Sequence, residues 1–303
     1  MNRRHFLRSS ALAVAAPSLS LAAGPFERMG KPRLQLSLAA YSFRRFFVHQ
    51  RNGKAPSVPE EEQITMKDFV DFCANYGIQG AELTSYFFKQ DASIETMIDL
   101  RRHAFLRGLE VSGTAIGNNF TYPKGPQRDE QMEYTKFWID RAAAMGAPHI
   151  RVFAGKHAKD ISEDQAWEHV IENLKVAGDY AGERGIFLGI ENHDSVGNHE
   201  TLLKLVNGVD HPWVGVNLDT GNFRTEDPYI DMEKTAPYAV NVQVKVAMRR
   251  LGQDGKEETD LERVVNILKA ANYQGYVVLE YEEDDDPYVS IPPILEKMSA
   301  LMG

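Results

Sequence analysis

A single cysteine, Cys73, stands in the 303-residue chain. That excludes an internal disulfide and any thiolate metal cluster, and its helix-like apolar surroundings suit a buried structural thiol. No apolar run approaches the roughly 20 residues of a membrane span. Clusters of lysine and arginine are also missing, and the formal net charge is -9. A nucleic-acid partner is therefore not expected, because phosphate binding needs concentrated basic residues. The same lack leaves no clamp for a phosphorylated substrate. There is no Gly/Ser-rich or Pro-rich linker, and the 14 prolines are scattered. What is present is an apolar content of 43% with 10% aromatics, ample for a large core. One domain is the expectation, since α/β barrels need about 250 residues for one closed unit.

Residues 1–23 are read separately from the fold. Arg3-Arg4-His5-Phe6-Leu7-Arg8 precedes the apolar run 11–16 and the small-residue stretch Ser20-Leu21-Ala22-Ala23. The layout is that of an export signal, and the paired arginines resemble a twin-arginine signal. Export to the periplasm or beyond is expected, with cleavage near Ala22 or Ala23. Loss of Arg3, Arg4 and Arg8 would move the formal charge from -9 to -12.

Along residues 24–303 a helix, a glycine and a strand recur. Helical stretches 66–76, 94–107, 129–145 and 163–184 close on Gly77, Gly108, Gly146 and Gly185, and short apolar strands follow. Strands begin near 34, 80, 110, 149, 186, 213, 240 and 276. Eight βα units favour a closed (β/α)8 barrel, a TIM barrel; a doubly wound sheet is the alternative, but its Gly-rich loop after the first strand is absent. The polar stretch 44–63 is too long for an ordinary βα connection and is expected to build the rim of the active site.

Four late strands end in polar groups. Gly-Ile-Phe-Leu-Gly-Ile runs into Glu191, Val-Gly-Val-Asn-Leu into Asp219, Val-Asn-Val into Gln243, and Gly-Tyr-Val-Val-Leu into Glu280. Their spacings of 28, 24 and 37 residues each suit one βα unit, so they could meet at the C-terminal face. By strand alternation Gly189, Glu191 and His193 share one face, as do Asn241, Gln243 and Lys245. Polar residues at alternate positions of a buried strand are costly unless they line a solvated or liganded cavity. The alternative is that Glu191 and Glu280 pair with Lys245 or Arg151 inside the barrel.

Glu191, Asp219 in Asp-Thr-Gly-Asn, Gln243 in Asn-Val-Gln-Val-Lys and Glu280 in Leu-Glu-Tyr-Glu resemble the xylose isomerase-like sugar isomerases and epimerases, over essentially all of 24–303. The resemblance implies one divalent metal held by Glu191, Asp219, Gln243 and Glu280, with Glu191 and Glu280 doubling as the acid/base pair. The departure is Gln243, where the family more often has histidine. Three carboxylates and one amide oxygen form a hard donor set, which puts Mn²⁺ first, with Mg²⁺, Co²⁺ or Zn²⁺ as substitutes.

Such a site supports proton transfer next to a carbonyl through an enediolate. Lys245 and His193 are auxiliary candidates that could hydrogen-bond a hydroxyl or stabilise an oxyanion, with a barrel-wall hydrogen bond as the alternative role for His193. Glu82, Arg151 and Asn222 are candidate substrate contacts, an ion pair and a loop cap being the competing roles. Tyr41, Phe43, Phe87, Phe120 and Phe223 could wall a sugar or belong to the core. The expected function is a metal-dependent isomerase or epimerase of a non-phosphorylated keto-sugar. The alternatives are a lyase or hydratase acting on keto-sugars or 3-keto-glycosides, and a non-catalytic sugar-binding barrel.

Overall fold

The computed structural model describes residues 24–303; the expected export signal lies outside the described residues. Eight parallel strands close into a barrel: β1 Arg33–Ala39, β2 Gly80–Glu82, β3 Glu110–Ala115, β4 His149–Val152, β5 Phe187–Glu191, β6 Val214–Asp219, β7 Ala239–Val244 and β8 Gln274–Leu279. Each strand pairs with its chain neighbours, and β8 closes on β1 from Arg33 opposite Gln274 to Leu38 opposite Leu279. The expected (β/α)8 barrel is the fold found.

Helices α1 Met66–Asn75, α2 Ile94–Leu106, α3 Pro126–Met145, α4 Glu163–Gly182, α5 His199–Val209, α6 Pro228–Thr235, α7 Leu261–Ala270 and α8 Pro287–Met302 alternate with the strands. Their starts follow from local chemistry. Thr65 and Asp68 form a reciprocal capping box at α1, as do Ser162 and Gln165 at α4, so backbone donors that the helix leaves orphaned find partners. Helix α3 begins three residues earlier than the pattern suggested. Pro126 sits at its first position, where a missing N–H costs nothing. It stops at Gly146, whose φ of 80° lies in the left-handed region that glycine tolerates.

Three features extend the barrel. The excursion 44–63 folds into short 3-10 turns, is tied at its base by a bridge between Phe47 and Ile64, and stacks Phe47 on Phe87 at 4.4 Å. A two-stranded ribbon, Ala247–Met248 against Glu257–Glu258, decorates the connection after β7, which the sequence reading did not anticipate. At the opposite end, Phe26 packs edge-on against Phe187 at the start of β5 and its N–H donates to Pro237 O. No helix among the described residues is long and apolar enough to cross a membrane.

Candidate active site

The barrel interior is polar in layers. In the lower one, Ser37 and Ser112 share a hydrogen bond of 2.7 Å, and His149 Nδ1 lies 3.1 Å from Ser112 O. Desolvation holds the His149 imidazole down at about 4, so it is neutral. Gly113 admits its ring, because a Cβ there would run into it.

Above it lies a ring of amides around one acid. Gln243 Nε2 donates to Glu82 Oε1 at 2.7 Å and Asn241 Nδ2 to Glu82 Oε2 at 3.0 Å. Asn217 Nδ2 donates to Gln243 Oε1 at 2.6 Å, while Asn241 Nδ2 also reaches Asn217 Oδ1 at 2.9 Å. All four residues are buried. Burial pushes the Glu82 carboxyl up to about 7, against the pull of Arg151 and the two amides. Glu82 thus sits below the cavity rather than on its wall.

The upper layer faces a cavity of about 390 Å³ at the C-terminal ends of the strands. Glu191, at the end of β5, meets Arg151 Nε at 2.9 Å and accepts from Asn222 Nδ2 at 2.7 Å. The Arg151 N–H is not aimed at that oxygen, so the contact is an ion pair. Arg151 also donates to Ile116 O at 2.9 Å and lies 4.0 Å from the centre of the Phe153 ring. Burial opposes its charge, yet Tyr86, Glu191 and Glu280 hold the guanidinium above its ordinary value.

Lys245 is the second buried cation. Its Nζ lies 3.0 Å from Asp219 Oδ2, 3.3 Å from Glu282 Oε1 and 3.4 Å from Glu280 Oε2. Burial works against the ammonium, but Asp219, Glu280, Glu282 and Glu191 together hold its pKa well above the usual lysine value. Asp219 Oδ2 has no well-aligned hydrogen-bond donor, so it too is held by charge; its Oδ1 accepts from Gly221 N at 2.8 Å. Burial pushes Glu280 well upward, Lys245 opposes the rise, and Glu282, Asp219 and Glu191 add to it. Two cations among four carboxylates leave an excess of negative charge that a proton on Glu280 relieves.

The candidate residues therefore separate. Glu191, Glu280, Lys245, His193 and Arg151 line the cavity; Asp219, Gln243, Asn222 and Glu82 lie beneath or behind it. His193 is half-exposed at the rim, 3.2 Å from Asp194 Oδ2 and 4.7 Å from the Phe153 ring. Of the five aromatic candidates Tyr41 alone reaches the cavity, the four phenylalanines being buried in the core. The sequence reading missed Glu282, although its alternation with Glu280 was visible, and Arg51, Tyr86 and Asn118, which arrive from separate loops.

A divalent ion held by Glu191, Asp219, Gln243 and Glu280 would need donor atoms about 2.0–2.2 Å from it. The residues as placed do not fit one. Gln243 has its carbonyl oxygen on Asn217 and its NH₂ on Glu82, and the Lys245 ammonium lies between Asp219 and Glu280. Among the described residues, His199, Glu200 and Asp231 bring ligand atoms within 4.8 Å of one another, away from the cavity wall. There Asp231 Oδ1 already accepts from the His199 backbone at 2.8 Å and faces its Nδ1 at 2.7 Å, and Thr225 donates to Oδ2.

A family model described as a xylose isomerase-like TIM barrel matches residues 70–300. The chain belongs to that family. An inosose dehydratase of Bacillus anthracis (strain CDC 684 / NRRL 3495) is 24% identical over 270 residues, covering 77% of this chain and 87% of the relative. Among solved structures, the IolI protein with a bound zinc atom superposes with a TM-score of 0.69 at 13% identity, over 88% of this chain and 96% of that one. The 3-keto-D-glucoside 4-epimerase YcjR of E. coli gives 0.65 at 16%, over 88% and 100%. At such identities these structures speak for the fold alone. The family includes sugar epimerases, isomerases and dehydratases.

Proposed function

We propose that the chain is an enzyme that moves a proton at the carbon next to a carbonyl of a non-phosphorylated sugar, as an isomerase or epimerase. The observation that carries this is the pairing of two buried carboxylates on one cavity with different surroundings. Glu191 is held by Arg151 and Asn222, whereas Glu280 is pushed toward its protonated form. The two carboxyls thus differ in their partners, Glu191 beside Arg151 and Asn222 and Glu280 sharing Lys245 with Asp219 and Glu282, and in this reading they take the roles of base and acid. Glu191 takes the proton from the carbon, Glu280 returns one, and the Lys245 ammonium stabilises the negative oxygen of the enediolate between the two steps. His193, at the rim, is placed to hydrogen-bond a substrate hydroxyl, and Arg151 keeps Glu191 oriented.

A lyase or hydratase is the second reading, with the enediolate expelling a group from the next carbon instead of being reprotonated. Two observations favour it: the dehydratase names among the relatives, and a second cavity of about 560 Å³ that shares Arg51, Tyr86 and Gly117 with the first. Phe88, Tyr134, Phe137 and Trp138 wall that second space, a suitable place for the aglycone of a keto-glycoside. A non-catalytic sugar binder would have no use for two buried carboxylates on one cavity. One Mn²⁺ held by Glu191, Asp219, Gln243 and Glu280, which the family resemblance implied, is not part of this reading. It requires Lys245 to withdraw and Gln243 to release Asn217, and no step above passes through it. Export by the twin-arginine route is proposed, on the first 23 residues.

Incubation with keto-sugars and keto-glycosides in deuterated water tests the proposal. Deuterium should enter the carbon next to the carbonyl, and Glu280→Gln should abolish turnover while leaving substrate binding measurable. Release of an aglycone or water would identify the lyase. Wild-type exchange in Glu191→Gln would refute the acid/base assignment.

A further inference from the structure

We infer that Lys245 is the site's resident cation, replacing the divalent ion between Asp219 and Glu280. The inference deepens the proposed enediolate chemistry and, for the role of the ammonium, rests on it. Placement of Lys245 is built into the fold. Its backbone N–H donates to Thr220 Oγ1 at 2.9 Å, and its stem crosses Gly221 where a Cβ would lie 2.7 Å from Lys245 Cδ and 2.9 Å from Lys245 Cβ. The Asp-Thr-Gly turn after β6 therefore supplies a counter-charge, a backbone anchor and a passage for the same side chain. At the far end the ammonium is held by three carboxylates at 3.0–3.4 Å, one of them the Glu282 that follows β8. Arg44, from the excursion after β1, donates to Tyr281 O at 3.2 Å and Glu282 O at 3.0 Å, fixing that segment.

Gln243 completes the argument from the neighbouring position on β7. Both ends of its amide are committed, at 2.6 and 2.7 Å, in a ring of buried residues. Turning the carbonyl toward the cavity would leave Asn217 without its acceptor and aim an amine away from Glu82, and each lost partner would leave a buried polar group unpaired. A dication in the same place would also face an ammonium and a guanidinium already neutralising the acids. A single fixed ammonium can stabilise an enediolate oxygen without that conflict.

The test is ion binding, which does not depend on knowing the substrate. The purified chain, dialysed against EDTA, is titrated calorimetrically with Mn²⁺ and separately with Zn²⁺, and its melting temperature is followed with each. The wild type should show no saturable stoichiometric site in the millimolar range. Lys245→Met, which leaves Asp219 and Glu280 without their cation, should gain a one-equivalent site about tenfold tighter or more, with a rise in Tm on adding the ion. A wild type that binds one equivalent of either ion tightly overturns the inference, and so does a Lys245→Met protein no more receptive than the wild type. Should Lys245→Met fail to fold without an ion, refolding by Mn²⁺ supports the inference, and failure to refold with any ion overturns it. Exchange that appears only on adding Mn²⁺ or Zn²⁺ would sink this inference while sustaining the proposed function; a wild type that binds neither ion and shows no exchange with or without them would do the reverse.

Discussion

Replacing Arg151 by methionine removes the guanidinium but keeps much of the apolar stem. In the wild type that guanidinium sits 2.9 Å from Glu191, donates to Ile116 O and lies over Phe153. Glu191 would retain one neutral donor, Asn222, and lose its charged partner in a pocket where its side chain is 4% exposed. Removing one member of a buried ion pair costs about 3–5 kcal/mol, mostly from the charge left behind. Urea denaturation reads the loss directly. Glu191→Gln in the same background abolishes the charge, and the double variant should recover about 2 kcal/mol or more relative to additive single losses. An Arg151→Met protein within about 1 kcal/mol of wild type would refute the reasoning, because a buried, charge-held pair cannot be lost so cheaply.

Glu82 supplies a stability profile of defined sign. Its carboxyl keeps a proton up to about 7 in the folded protein against 4.5 when unperturbed, so the native state binds the extra proton in that window. Stability therefore falls as pH rises from about 4.5 to about 7, by at most about 3.4 kcal/mol, and Glu82→Gln should lose that part of the difference between pH 5 and pH 8. An unchanged difference would show that Glu82 does not titrate there. Gly113→Ala should destabilise by about 1–3 kcal/mol or more, since the new methyl meets the buried His149 ring, and denaturation midpoints check it. Replacing Arg3 and Arg4 with lysine should leave unprocessed chain in the cytoplasm of the producing cell; unchanged export detected by fractionation would refute the twin-arginine reading.

The barrel was legible because its signals are local and periodic. Apolar strands of the right length, helices closed by Gly146 or opened by Thr65 and Ser162, and eight repeats of that unit leave few arrangements that bury the apolar faces together. Position at a strand end was legible too, so Glu191 and Glu280 were placed on one cavity from spacing alone. Which partner each acid has was not, because it depends on side chains arriving from distant elements. Arg151 reaches Glu191 across from β4, Lys245 reaches Glu280 and Glu282 across from β7, and Glu82 from β2 takes the amide of Gln243 161 residues away. A sequence shows that Gln243 can offer an oxygen; only the packed barrel decides that the oxygen points at Asn217. Strand alternation sets the face on which a side chain lies, whereas its hydrogen-bond direction is chosen by whichever buried neighbour would otherwise go unpaired.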